Sequence, residues 1–334
     1  MAERLEAREL PSFSAAAARE YELAADRDGL VEHNLRFGSS RVCVRVAGAG
    51  LAAVVLPALI ERIDSGPGAV DATIAVWEAA ACATRAVSAP WGIEDIGPGG
   101  LVRGPGVDPL VAVHETGSGA LTLVDRSGRG VLHRVPDRAA MPWWELAAPL
   151  RPALFWALGG SRRHLVHAGL VGDDRGGVLL AGARGSGKTT VVYAALRHGL
   201  GFVADDYVLL RAGRGWEAVS VYSTVSLLGS HVDAKTVLDV ASSMPGCMRE
   251  SLPVRAVVLP RVRGGHAHLR SVSPAVALRA WAPSTALHMP FDNGAVVASL
   301  AEVVQGVPCF TLDVGDDEAE LAAAVDRVLE QVRS

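Results

Sequence analysis

The stretch GVLLAGARGSGKTT, residues 177–190, leaves the chain little freedom in how it folds. An apolar run from Val178 to Ala181 suits a buried strand, glycines follow at 182, 185 and 187, and Lys188-Thr189-Thr190 opens a helical segment. Glycine lets the backbone take positive φ and approach a ligand closely. Successive N–H groups then point into one concavity, and the following helix adds its positive N-terminal end, so the loop is shaped for phosphates. Gly182, Arg184, Gly185, Ser186, Gly187, Lys188, Thr189 and Thr190 are therefore the residues expected around the phosphates of a nucleotide. In this motif Lys188 reaches the β- and γ-phosphates, and the Thr189 hydroxyl is a ligand for Mg²⁺. The lysine stands out because the chain has only two, Lys188 and Lys235, among many arginines.

A phosphate cradle needs partners before it does chemistry. The segment FVADD ends an apolar strand on Asp205-Asp206. A strand that ends in acids puts them at the carboxyl edge of an open α/β sheet, where the loop also lies. Adjacent strand residues face opposite ways, so both acids can serve only near a strand end. His167, in LVHAGLVG, falls in the strand before the loop strand, with Ala168-Gly169 permitting a close approach.

The rest of the chain bounds the reading. Its 334 residues, half of them apolar, suffice for two domains with sizeable cores. A net charge of −4 gives no electrostatic case for a nucleic-acid partner. Cys43, Cys82, Cys247 and Cys309 are isolated, so neither a zinc site nor a disulfide framework is indicated. The charged start lacks a signal h-region, and the longest apolar run, LAAVVLPALI, is too short to span a bilayer. A cytoplasmic protein without membrane partners is expected.

Along the chain, residues 1–30 suggest a frayed segment or surface helix. Residues 41–50 suggest a strand, and 51–63 a helix broken near Pro57. Residues 71–87 are ambiguous between strand and helix, and 88–109 read as a Gly/Pro-rich loop. Short strands follow at 110–115, 120–125 and 130–135, and one helix at 141–160. The spacing gives an N-terminal α+β domain over 1–150 and an α/β domain over 151–334. In the second, GFVADDYVLL reads as one strand. Later strands fall at 255–260, 268–272 and 308–314, and a helix ends the chain. Lys235, the only other lysine, could steady a phosphate or an acidic substrate, but reads more simply as a solvated helix residue. Arg249, Arg255 and Arg263 read as surface residues that could line an acceptor groove. His266 and His268 read as opposite faces of one strand, and Trp143-Trp144 as packing between the domains.

The span HAGLVG…GVLLAGARGSGKTTVVYAALRHGLGFVADDYVLL resembles the P-loop kinase domain of HPr kinase/phosphorylase. The order is the same: a histidine-containing strand, the loop, one helix, a glycine, then a strand ending in ADD. Weaker likeness over 253–332 resembles the HPr-kinase-like proteins found with peptide natural-product pathways, including lasso peptide clusters. The resemblance implies an α/β P-loop kinase fold, ATP and Mg²⁺ as cofactors, and a peptide or protein partner with an acceptor serine, for instance a peptide precursor. A homo-oligomer is compatible with it. It implies that Asp205 is the base towards the serine, that Asp206 and Thr189 lie on or near Mg²⁺, and that His167 is poised beside the transferring phosphate. The family's glycine-rich segment after the ADD strand, with a further acid for the metal site, has no clean counterpart in VSVYSTVSLLGSHVDAKTVLDV. Two other readings stay open: a kinase of a small-molecule alcohol, and a nucleotide-binding regulatory or assembly module.

Overall fold

The computed structural model describes residues 9–80, 87–102, 110–125, 127–228, 235–288 and 293–332. The fold is mixed α/β, and the chain divides into two compact units, one of residues 1–159 with 289–291, the other of 160–288 with 292–334.

The first unit runs α1 (Glu9–Asp28), β1 (Leu30–Phe37), β2 (Ser40–Ala47), α2 (Ala49–Val55), β3 (Ala72–Glu78), β4 (Leu110–His114), β5 (Leu121–Asp125), β6 (Gly130–Val135), α3 (Trp143–Ala147) and α4 (Arg151–Leu158). Its sheet has the order β1-β2-β3-β6-β5-β4, with β2, β3 and β6 parallel and hairpins at either side. The segment 9–28 is not a surface helix. Leu10, Phe13, Ala17, Tyr21 and Ala24 are buried with Ala75 and Trp77 of β3. Their spacing of three and four residues is one face of a helix, which the Ala/Glu/Arg composition disguises. Ile74 and Val76, alternating with that pair along β3, are buried too. Within the ambiguous segment 71–87, Ala72–Glu78 is therefore a central strand, covered on both faces, and 81–86 lie outside the described residues. The helix expected over 141–160 is two, because Pro149 precedes Leu150, which takes φ 57°. A residue before it is pushed out of the helical region by the proline ring.

The second unit runs β7 (Arg163–Asp173), β8 (Gly176–Ala181), α5 (Lys188–Arg197), β9 (Gly201–Ala204), β10 (Tyr207–Ala212), β11 (Trp216–Ser220), β12 (Thr224–Leu228), β13 (Lys235–Asp239), α6 (Val240–Ser243), β14 (Ser251–Val262), β15 (His268–Val272), α7 (Pro274–His288), α8 (Asn293–Gly306), β16 (Cys309–Val314) and α9 (Glu318–Gln331). The main sheet has the order β11-β10-β7-β8-β14-β16-β15; β9 joins β7, and β11 also pairs with β14. β12 and β13 form a separate hairpin. The core lies between α5, α9 and this sheet: Val191, Ala194 and Ala195 meet Leu180, Val258, Leu312, Val325 and Val328. Each valine and leucine among them contributes roughly 1.5–3 kcal/mol on burial. Asp317 caps α9 by accepting from the Ala319 and Glu320 amides.

Four expectations change here. GFVADDYVLL is two strands, β9 and β10, interrupted at Asp205-Asp206. Lys235 opens a strand, not a helix. His266 precedes β15 and accompanies Glu320, while His268 alone lies in the strand. Arg249 and Arg255 stand beside Gly201 and Gly176, at the opposite ends of β9 and β8 from the glycine loop, so they line no groove next to it. Cys43, Cys247 and Cys309 are free thiols, and Cys82 lies outside the described residues. Among the described residues no helix is long and apolar enough to cross a membrane.

Candidate active site

The loop follows from β8. Gly182, Gly185 and Gly187 take φ of 145°, 78° and 101°, conformations that a side chain would strain. Gly187 is also crowded: a Cβ there would lie 3.0 Å from a methyl of Val314. This is why the helix can begin against the ends of β14 and β16. Lys188, only 5% exposed, donates from Nζ to the Gly182 and Ala183 carbonyls at 3.0 and 3.2 Å. Burial lowers its proton affinity, while the charges of Asp206 and Asp205 raise it. The Ser186 hydroxyl oxygen is buried with no hydrogen-bond partner among the described residues. Arg184 and Thr190 are exposed, and Thr189 is half-buried.

Sheet register brings the other groups to this loop. Ala168 of β7 stands opposite Ala181 of β8, so His167 comes level with Gly182. On the other side of β7, Leu170 pairs with Ala204 and His167 with Tyr207. Asp205 and Asp206 therefore fall opposite Gly169 and Ala168, where the ladder breaks. Gly169 is required there, since a Cβ would lie 2.8 Å from the Asp205 carbonyl oxygen and 3.0 Å from Val192 Cγ2. His167 is fixed from behind by α7: its amide donates to Thr285 Oγ1 at 3.3 Å and its carbonyl accepts from Trp281 Nε1 at 3.1 Å. Its ring lies 5.5 Å from that of Tyr207.

The two aspartates have different surroundings. Asp205 is 3% exposed. Its Oδ2 accepts from the Ser226 amide of β12 at 3.0 Å, and the Thr189 hydroxyl lies beside the same carboxyl. Its Oδ1 is buried without a hydrogen bond among the described residues. Burial, and then the charge of Asp206, push the Asp205 carboxyl well above the usual carboxylate range. The Asp206 side chain is 30% exposed, and its Oδ1 lies 3.7 Å from His167 Nε2. Burial alone would raise Asp206, but His167, Lys188 and Lys235 outweigh it and hold this carboxyl low. The two protons belong to the pair as a unit. The resemblance gives Asp205 to the acceptor and Asp206 to the metal; the geometry instead joins Asp205 to Thr189 and Asp206 to His167.

Two contributors come from outside the loop and the acid pair: the Ser226 amide, which the sequence did not point to, and Lys235, which it read mainly as a solvated helix residue. The β12–β13 hairpin brings the Ser226 amide to Asp205, and Lys235 into electrostatic reach of Lys188, Asp205 and Asp206. The available signal was that Lys188 and Lys235 are the only lysines of the chain. The Thr189 hydroxyl and the carboxylates are hard oxygen donors, and Asp205 Oδ1 keeps an uncommitted, buried lone pair. Such a set fits Mg²⁺, which takes one or two carboxylates and completes its shell with water and phosphate oxygens.

No protein-family model matches the chain, and no curated protein matches it. Among solved structures it is similar to the Hpr(Ser) kinase/phosphatase from Coxiella burnetii, with a TM-score of 0.33 and 13% identity, over 51% of this chain and 96% of that one. At that TM-score the likeness says nothing of chemistry, which has to be read from the site itself.

Proposed function

We propose that this protein is an ATP-dependent kinase that passes the γ-phosphoryl group to a hydroxyl, with a seryl side chain of a peptide or protein as acceptor. One juxtaposition supports the transfer: beside the glycine loop, one carboxylate is enclosed with Thr189 and its neighbour is open to solvent beside His167. A site that only binds nucleotide has use for the first acid. The second gains a role when a hydroxyl approaches. The seryl acceptor rests on the sequence resemblance.

In this reading the loop N–H groups and Lys188 receive the phosphates. Thr189 and Asp205 are the residues that would hold Mg²⁺, which neutralises charge on the phosphate oxygens when bound. The acceptor oxygen bonds to the γ-phosphorus as the bond from that phosphorus to the β-phosphate oxygen breaks, and ADP leaves. Asp206 takes the hydroxyl proton and releases it to solvent. Its low proton affinity suits a loose transition state, in which the proton moves late. His167 steadies the Asp206 carboxylate and keeps it turned to the acceptor side. The roles of the two acids are thus the reverse of those the resemblance implies.

Intact-mass spectrometry tests the reading, using serine-containing peptides, among them HPr and precursor peptides, incubated with the protein, ATP and Mg²⁺. One added phosphate is expected, absent with Lys188→Ala. If no peptide gains phosphate while ATP still binds, the peptide acceptor is wrong, and weight moves to an alcohol substrate or a regulatory module.

A further inference from the structure

The first unit contains a small cavity that the transfer chemistry does not use. It has a volume of about 40 Å³, space for roughly three waters. Its walls are largely apolar, from Val135, Pro136, Met141 and Pro142. Its rim is exposed at Asp137 and Ala140. At its floor sits the carboxyl of Glu145, the middle residue of α3 and only 4% exposed.

That carboxyl has little of its own to hold it. Ser118 Oγ donates to Oε1 at 3.1 Å. The cation whose charge bears on it, Arg151, is already committed to Glu115, Nη2 to Oε1 at 2.5 Å. Glu145, Glu115 and Arg151 together carry one carboxylate more than they carry cations. An acid placed this way is an unpaired charge when ionised, which is costly, or a wasted acceptor when protonated. Burial, followed by the opposing influences of Arg151 and Glu115, pushes it up to about 7. The cavity above it is too small for a cofactor. It suits a charged head with its first methylenes lying along apolar walls, the way a lysine stem packs.

We infer that this pocket receives a primary ammonium on an alkyl stem, a lysine side chain or the amino end of a peptide, with Glu145 as its counter-ion. The inference stands apart from the kinase reading: the pocket lies wholly within the first unit, and its occupation needs no nucleotide.

The test uses the full chain labelled with ¹³C at its methionine methyls, with Met141 as the reporter in the pocket wall. Nα-acetyl-lysine methylamide should shift the Met141 methyl saturably. The isosteric neutral Nα-acetyl-norleucine methylamide should not. Alaninamide separates the two sources, since a stronger response to it than to the lysine amide marks a chain terminus, and the reverse marks a side chain. Glu145→Gln should weaken binding about tenfold or more, the usual effect of losing one charge-assisted hydrogen bond. Ala140→Lys, at the exposed rim, tethers an ammonium that should block the probes without touching the floor. An equal response to norleucine, no response to either amine, or undiminished binding in both variants would overturn the assignment.

Discussion

The two units handle buried charge differently. In the first, acids are matched to bases: Asp64 to Arg41, Glu78 to Arg138, and Glu115 to Arg151. Arg41 and the Gly66 amide hold the Asp64 carboxyl low, as in an ordinary structural ion pair. At the loop corner of the second unit, like charges are neighbours. Asp205 and Asp206 are consecutive, and the charge of Lys235 bears on Lys188. Crowding like charges in a partly buried corner destabilises the fold on its own. It is rational where a ligand with spread negative charge and a metal complete the set. Glu145, in the first unit, resembles the corner more than its own neighbours.

Five substitutions can break or sharpen that contrast. The largest effect is expected from Lys188→Ala, which should reduce phosphoryl transfer about 100- to 1,000-fold, the usual effect of removing a preorganised group from developing charge. Stability should change little, because the hydrogen bonds of Lys188 among the described residues go to loop carbonyls. In contrast, Arg41→Ala should lower stability in chemical denaturation, by leaving Asp64 with only the more distant Arg36, and should spare transfer by the folded protein. Equal behaviour of these two variants would erase the distinction between the units.

Gly169→Ala joins the two properties. Its methyl has nowhere to go beside the Asp205 carbonyl oxygen and Val192. Overpacking of this kind costs about 1–3 kcal/mol, and the displaced acid pair should slow transfer by about tenfold or more. Normal turnover and normal stability would mean that the close approach is not needed.

Glu145→Gln addresses the exception through pH. The folded carboxyl sits near 7, above its ordinary 4.5. An acid raised in the folded state favours folding below its unfolded value, and that contribution disappears as pH rises through about 7. The variant, neutral throughout, should therefore match the parent near pH 5 and exceed it at pH 8 by about 1–3 kcal/mol. A variant less stable at pH 8 would show that the ionised carboxylate is matched after all.

The smallest effect is expected from Lys235→Met. The charge of Lys235 lowers the proton affinity of both aspartates. Without it both rise, so the acid limb of the pH–rate profile should move to higher pH. Transfer at pH 6 should then fall a few-fold while transfer at pH 8 holds. An unmoved profile would place Lys235 outside the site's electrostatics.

The parts of the site visible in the sequence are those that chemistry writes locally. The loop needs glycine at fixed steps, and a positive-φ backbone cannot be disguised by composition. Gly169 was legible for a related reason, since only its missing Cβ lets the Asp205 backbone approach. What stayed hidden depends on tertiary context. The acids were legible as the end of the FVADD strand, but the separate strand that YVLL begins along β7 was not, because both halves have strand composition. KTVLD was misread because five residues are too few for a periodic pattern to separate strand from helix. The α1 stripe was missed because alanines at two of its five core positions read as surface composition. The support of His167 by Trp281 and Thr285 spans more than 110 residues of chain, a separation at which single-sequence patterns carry no pairing information.

The division of labour between the paired acids is the claim most open to direct test. ATP·Mg²⁺ affinity and single-turnover transfer to the identified acceptor should be measured for Asp205→Asn and Asp206→Asn. Asp206→Asn should bind nucleotide within a few-fold of the parent and transfer about 100- to 10,000-fold more slowly. Asp205→Asn should lose the Mg²⁺-dependent part of nucleotide affinity. Parental transfer rates in Asp206→Asn, or loss of transfer with intact ATP·Mg²⁺ binding in Asp205→Asn alone, would contradict the assignment and return the acceptor side to Asp205.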